Sequence, residues 1–149
     1  MNEQLESLIQ REQISLASIR QRVAAFGIDE LLLSVIMLIV LWDTIGKADT
    51  LEAMIAVTNS FLLEYMAIKI LYQTFFVMQY GASLGKIVMK IRIIELSTLS
   101  NPTFLSAFNR SVFRVISELL FYLGFIWAIL DPYQRSWHDR IGRTLVINA

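Results

Sequence analysis

The stretch from Arg20 to Trp42 limits most severely what this chain can become. It opens as Arg20-Gln-Arg22-Val-Ala-Ala-Phe-Gly-Ile-Asp29-Glu30 and continues from Leu31 to Trp42 with Ser34 as the one polar interruption. An apolar run of this length reads as a helix that enters a bilayer. Arg22 and Asp29 are seven residues apart, so on a helix of 3.6 residues per turn they share a face about two turns apart. Charge at the centre of a membrane helix costs roughly 2.5–3.5 kcal/mol per residue on insertion scales. Compensation must therefore come from elsewhere in the chain.

Composition supports the membrane reading. Of 149 residues, 56% are hydrophobic and 17% charged, and the mean hydropathy is +0.56, displaced from soluble domains towards membrane proteins. The formal net charge is zero, which gives no reason to expect a nucleic-acid partner. The absence of cysteine excludes disulfides, thiol nucleophiles and cysteine-ligated metals. One histidine among scattered carboxylates does not make a zinc site. No metal, no cofactor and no enzymatic activity are expected, since no nucleophile–base pair is evident. Residues 1–16 are polar and lack the basic head and apolar core of a cleavable signal.

The expected fold is an all-α membrane protein with two full transmembrane helices, a third span or re-entrant helical segment, and short extended interfacial stretches. Residues 1–19 form an amphipathic or flexible N-terminal segment, with Leu5, Leu8 and Ile9 at helical spacing, and 20–149 form a single transmembrane domain. The first span runs roughly over 23–45 and the second over 51–78. The second carries Asn59, Glu64, Lys69 and Gln73 among apolar neighbours. Glu64 and Lys69 are expected to compensate each other or to face the protein interior. Ile87–Glu95, with Lys90 and Arg92 among aliphatics, reads as a short strand or extended segment. Residues 103–118 read as a helix after Asn101-Pro102, with Arg110 polar and Arg114 and Glu118 paired at i,i+4. Leu119–Leu130 is twelve apolar residues, rising about 18 Å as a helix against a hydrocarbon core of roughly 30 Å.

The positive-inside bias places the N-terminus in the cytoplasm through Arg11, Arg20 and Arg22, together with the middle loop of Lys86, Lys90 and Arg92. Three full spans would leave Arg135, Arg140 and Arg143 outside. A return path through 119–130 keeps them inside and is preferred, with three spans as the alternative. Trp42, Tyr80, Tyr133 and Trp137 flank apolar runs and suit the interfacial aromatic belt. Gly81-x-x-x-Gly85 stands at a membrane edge, where a tight turn or close backbone approach is expected rather than a helix dimer. Ser83-x-x-Lys86 lacks the companion motifs of penicillin-recognising enzymes, and Asn109-Arg-Ser111 is an incidental sequon.

Arg22-x6-Asp29, Gly81-Ala-Ser-Leu-Gly85-Lys86, Arg110 and the closing Trp137-His138-Asp139-Arg140-x-Gly142-x-Thr144-Leu-Val146 occur in that order. Together they resemble the RDD family of small bacterial membrane proteins, named for an arginine and two aspartates, over residues 18–148. Ser83 and Arg143 depart from the residues usual there. The resemblance implies Arg22 as the arginine, Asp29 as the first aspartate and Asp139 as the second, with Asp131 a rival. It also implies a multi-pass protein of the bacterial inner (cell) membrane. Transport has been proposed for the family, and cation–proton antiport attributed to some members.

Two readings of the trio follow. In the functional one an embedded carboxylate binds and releases a proton or cation under the influence of Arg22. In the structural one, which is preferred, Arg22 locks Asp29 and the C-terminal segment through charge-assisted hydrogen bonds. His138 beside Asp139 is a weaker candidate for proton relay. The function expected is a transporter or ion/proton-coupled subunit, or else a non-transporting scaffold or accessory subunit. Its partners are the lipid bilayer, a second copy or another membrane protein, and sodium or protons.

Overall fold

The computed structural model describes residues 2–149; of the expected N-terminal segment, Met1 lies outside them. Helix α1 (Asn2–Arg11) buries Leu5 and half-buries Leu8 and Ile9, the apolar spacing read from the sequence. Residues 15–17 then run alongside the C-terminus. The Ala17 N–H donates to Val146 O (3.1 Å), and the Asn148 N–H donates to Ser15 O (2.9 Å).

Helix α2 (Ile19–Val40) begins at a reciprocal cap. The Ser18 hydroxyl accepts the Gln21 N–H (3.3 Å), and Gln21 Oε1 accepts the Ser18 N–H (3.0 Å). Its buried residues, Ala25, Asp29 and Leu33, form one narrow i,i+4 stripe, while Val23, Leu31, Val35, Ile36, Leu38, Ile39 and Val40 are exposed. Two short helices follow, α3 (Trp42–Gly46) and α4 (Leu51–Ser60), and then α5 (Leu62–Tyr80). Residues 51–78 were expected as one helix, but α4 and α5 meet at 51°. The Thr58 hydroxyl donates to Met54 O (2.9 Å) and the Ser60 hydroxyl to Val57 O (2.7 Å). Such back-bonding bends helices.

After the left-handed Gly81 (φ 67°), helix α6 (Leu84–Val88) leads into strand β1 (Ile91–Glu95). Helix α7 (Phe104–Leu119) starts at Thr103, whose N–H donates to Glu95 Oε2 (2.8 Å). Phe121 and Tyr122 adopt positive φ (55° and 62°), and the chain turns through 103° into α8 (Leu123–Leu130). By length and composition the pair α7–α8 is a broken span or a re-entrant loop. The two helices do not form one straight rod. Helix α9 (Trp137–Ile141) and strand β2 (Thr144–Asn148) complete the chain.

The strands pair antiparallel, from Ile91↔Asn148 to Glu95↔Thr144. The fold is mostly helical, as expected, and the short extended stretches expected beside the helices include two that pair as a two-stranded sheet. The main helix contacts are α5 with α7, α2 with α6 and α7 with α9. The small core of Ala17, Ala25, Val77, Ile91, Ile93, Ala107 and Val146 gathers at the end of the molecule that holds the sheet.

Among the described residues one helix, α2, is long and apolar enough by itself to cross a membrane. The pairs α4–α5 and α7–α8 reach that standard only when each bent pair is taken together, so two full straight spans are not found among the described residues. Leu31, Ile39, Val40, Leu63, Leu71 and Leu130 are exposed, a surface suited to lipid rather than water.

Gly81-x-x-x-Gly85 is a turn followed by a close approach. A Cβ at Gly85 would collide with the Ala25 carbonyl oxygen and lie 2.9 Å from Asp29 Oδ1, whereas at Gly27 it would meet nothing within 4 Å. Gly85→Ala should therefore lower the Tm of the detergent-purified protein, an overpacking cost of about 1–3 kcal/mol. Gly27→Ala should leave it unchanged or raise it, since helical glycine costs roughly 0.5–1 kcal/mol.

Candidate functional site

Asp29 faces inward from the middle of α2 and is 0% exposed. Oδ1 accepts from Tyr72 Oη (2.8 Å) and the Gly85 N–H (2.8 Å); Oδ2 accepts from Ser83 Oγ (2.6 Å) and Gln73 Nε2 (3.3 Å). A carboxylate offers about four lone-pair sites, and here all are engaged. Arg114 Nη1 stands 4.0 Å away as a more distant countercharge. Tyr72 Oη also accepts the Leu84 N–H (3.0 Å), so this acid joins α2, α5 and the start of α6.

Arg22 does not pair with Asp29 in this arrangement. Its guanidinium reaches across to the C-terminal segment. Nη1 donates to Asp139 Oδ2 (3.1 Å) and Gln134 O (2.5 Å), Nη2 to Val146 O (3.2 Å), and Nε to Ala17 O (3.3 Å). The expectation that Arg22 locks Asp29 is corrected, while its contact with the C-terminal segment is present. A shared helix face at seven residues' spacing leaves the two groups about 10 Å apart along the axis, too far for direct contact without bridging.

Asp139 is the partner of two arginines. Arg110 Nη1 bonds Oδ1, and the Ser136 N–H (3.0 Å) and Oγ (2.8 Å) join Arg22 on Oδ2. Arg110 also donates to Thr144 Oγ1 (2.8 Å). Asp131, the rival for this position, belongs to a separate group. It accepts from the Arg135 N–H (2.8 Å) and Nε (3.3 Å) and from Arg140 Nη2 (2.5 Å). Burial alone would raise the Asp131 carboxyl, but these donors and charges hold it below its ordinary value.

A third cluster lies farther along the helices. Lys69 Nζ contacts Glu30 Oε1 (2.7 Å) and bonds Glu118, and Arg114 Nε lies 3.5 Å from Glu118 Oε1. The expected Arg114–Glu118 pairing is present. Of the alternatives expected for Glu64 and Lys69, Lys69 faces the interior, turned to Glu30 and Glu118, while Glu64 is exposed on α5 and the two do not pair. Five-residue spacing puts Glu64 and Lys69 on different helix faces. Glu30, Tyr72, Ser83 and the Gly85 N–H were not singled out as site groups. Gln73 amid apolar neighbours was the visible signal.

His138 is buried, with Nε2 2.8 Å from Ser136 Oγ. Ser136 Oγ gives its one hydrogen to Asp139, so Nε2 carries the imidazole proton and Nδ1 is left as an acceptor. Burial, then the charges of Arg110, Arg114 and Lys86, hold His138 well below its ordinary value of 6.5. A base lowered in the fold is protonated more readily in the unfolded chain. Its contribution is intact above about pH 6.5 and is lost as pH falls below it. The Tm should therefore drop between pH 7.5 and 5.5, by at most about 1.4 kcal/mol of stability per pH unit from this group. His138→Gln should flatten that slope; an unchanged slope would contradict the assignment.

The described residues hold no group of three or more His, Cys, Asp or Glu suited to a metal ion. Around Asp29 the ligating atoms are donors, an environment for an anion rather than a cation.

"Uncharacterized protein RP437" of Rickettsia prowazekii (strain Madrid E) is 26% identical over 69 residues, which is 46% of this chain and 38% of that protein. The match thus spans less than half of the relative's length. No solved structure matches the chain. The model of the RDD family matches residues 16–143, a range that holds Arg22, Asp29 and Asp139, and the chain belongs to the RDD family.

Proposed function

We propose that this is a multi-pass protein of the bacterial cell membrane, with both ends cytoplasmic, that acts as a non-transporting scaffold or accessory subunit for another membrane protein. Its buried charges hold the fold rather than carry ions. The observation that carries this reading is the saturation of both aspartates. Asp29 accepts four hydrogen bonds and Asp139 is bound by Arg22, Arg110 and Ser136. Taking up sodium or a proton at either acid would require breaking buried charge-assisted bonds.

The common side for both ends is supported by β2, which lies between β1 and residues 15–17. Arg20 and Arg22 thereby share one end of the molecule with Lys90, Arg92 and Arg143, as the positive-inside bias favours. A partner chain is supported by Glu64, an acid exposed beside Leu63 on α5. Such a group is costly against lipid and is relieved by protein contact. A second reading, an ion-coupled transporter subunit, is favoured by a cavity between α2 and α8, yet its lining by Arg22, Lys86, Arg110 and Arg114 is cationic and selects against sodium.

Proteoliposomes holding the purified protein should show no protein-dependent sodium or proton flux under imposed gradients. Asp29→Asn and Asp139→Asn should lower thermal stability in detergent. A protein-dependent flux abolished by Asp29→Asn at unchanged Tm would overturn the reading.

A further inference from the structure

A cavity of about 280 Å³ opens between α2 and α8, near the lower end of small-molecule pockets, roughly 300–1,000 Å³. Its two halves differ in chemistry. The inner part is lined by Arg22, Lys86, Arg110 and Arg114, with Asp139 and His138; the outer part by Val23, Phe26, Ile126 and Ile129. Val23 and Ile129 are 63% and 66% exposed and continue directly into the apolar outer faces of their helices. The mouth therefore opens onto the surface that suits lipid, while the charged part sits about one turn inside the start of α2.

The buried charge that lines and adjoins the cavity is unbalanced. Arg22 and Arg110 share Asp139, and Arg114 lies between Asp29 and Glu118. Glu118 is also held by Lys69, which has Glu30 as a further partner. Five cations (Arg22, Lys69, Lys86, Arg110, Arg114) thus meet four carboxylates (Asp29, Glu30, Glu118, Asp139). Lys86 is the least compensated. It is 6% exposed, and its ammonium donates one long hydrogen bond, to Ser83 Oγ at 3.4 Å. Arg114 Nε, also buried, forms no regular hydrogen bond. In a medium of low dielectric, surplus positive charge attracts an anion far more strongly than it would in water.

We propose that this cavity binds an anionic phospholipid, its headgroup phosphate on Lys86 and Arg114 and an acyl chain along Val23, Ile126 and Ile129. A free anion would use the inner half alone; an uncharged lipid would use the outer half alone. The two together, at the depth where a helix begins and headgroups lie, fit a molecule with both parts. Burial, then the neighbouring charges of Arg114 and Arg110, push the Lys86 ammonium below its ordinary value, and a bound phosphate would oppose that shift. The inference is independent of whether the two aspartates carry ions or brace the fold.

Thermal unfolding of the full-length protein in detergent, with phosphatidylglycerol, phosphatidylcholine or inorganic phosphate added, tests it. Phosphatidylglycerol should raise the Tm, and the other two should not. In Lys86→Gln the half-saturating phosphatidylglycerol concentration should rise at least tenfold, and Ile126→Trp, which narrows the cavity from its apolar side, should weaken the response similarly. If Lys86→Gln does not fold, Ile126→Trp decides alone. Equal stabilisation by phosphatidylcholine, or an undiminished response in a folded variant, would overturn the proposal. An equal shift with inorganic phosphate would overturn the lipid as the ligand.

Discussion

The structure depends on one carboxylate, Asp139, clasped by two arginines from distant parts of the chain. Arg22 comes from the start of the first long helix and Arg110 from α7, and the acid sits on α9 near the C-terminus. A buried carboxylate left without its partners would be strongly destabilising, by about 3–5 kcal/mol in comparable pairs. That cost is avoided only when α2, α7 and α9 converge. The turn at Phe121–Tyr122 and the pairing of β2 with β1 are the covalent and hydrogen-bonded routes that allow them to do so.

From Asp139 the buried charges continue along α2 in a graded series. Near its start Arg22 meets the C-terminal segment. Two turns later Asp29 is satisfied by Tyr72, Gln73, Ser83 and the Gly85 N–H, and one residue on Glu30 enters the Lys69–Glu118 cluster. Together these sites bind α2 to the C-terminal segment, to α5 and to the start of α6. Association of helices in lipid gains little from apolar contact, because lipid tails are as apolar as leucine, so polar links of this kind can fix which helices meet. The narrow stripe of Ala25, Asp29 and Leu33, with Arg22 and Glu30 beside it, lets a mostly apolar helix find one orientation.

Much of the frame was legible in the sequence. The apolar run after Arg22 marked α2, the Arg114–Glu118 spacing marked a pair on α7, and the aliphatic stretch Ile87–Glu95 marked the first strand. The partners of Asp29 were less legible. They come from α5 and the Gly81–Lys86 turn, joined by tertiary contact rather than by any helical or strand period. Lys69 shows the same limit: its nearest acid in sequence, Glu64, is five residues away on another face, and its actual partners are 39 and 49 residues distant. The break at Phe61 was hidden as well, since average hydropathy does not register Thr58 and Ser60 bonding back onto their own helix.

The central claim is that Arg22 and Asp139 hold each other across the chain. A double-mutant cycle measures it directly, using the unfolding free energies of the wild type, Arg22→Gln, Asp139→Asn and the double variant in mixed detergent. The account predicts that the double variant loses clearly less than the sum of the single losses, with a coupling of about 1–3 kcal/mol. Losses that add to within about 0.5 kcal/mol would contradict it.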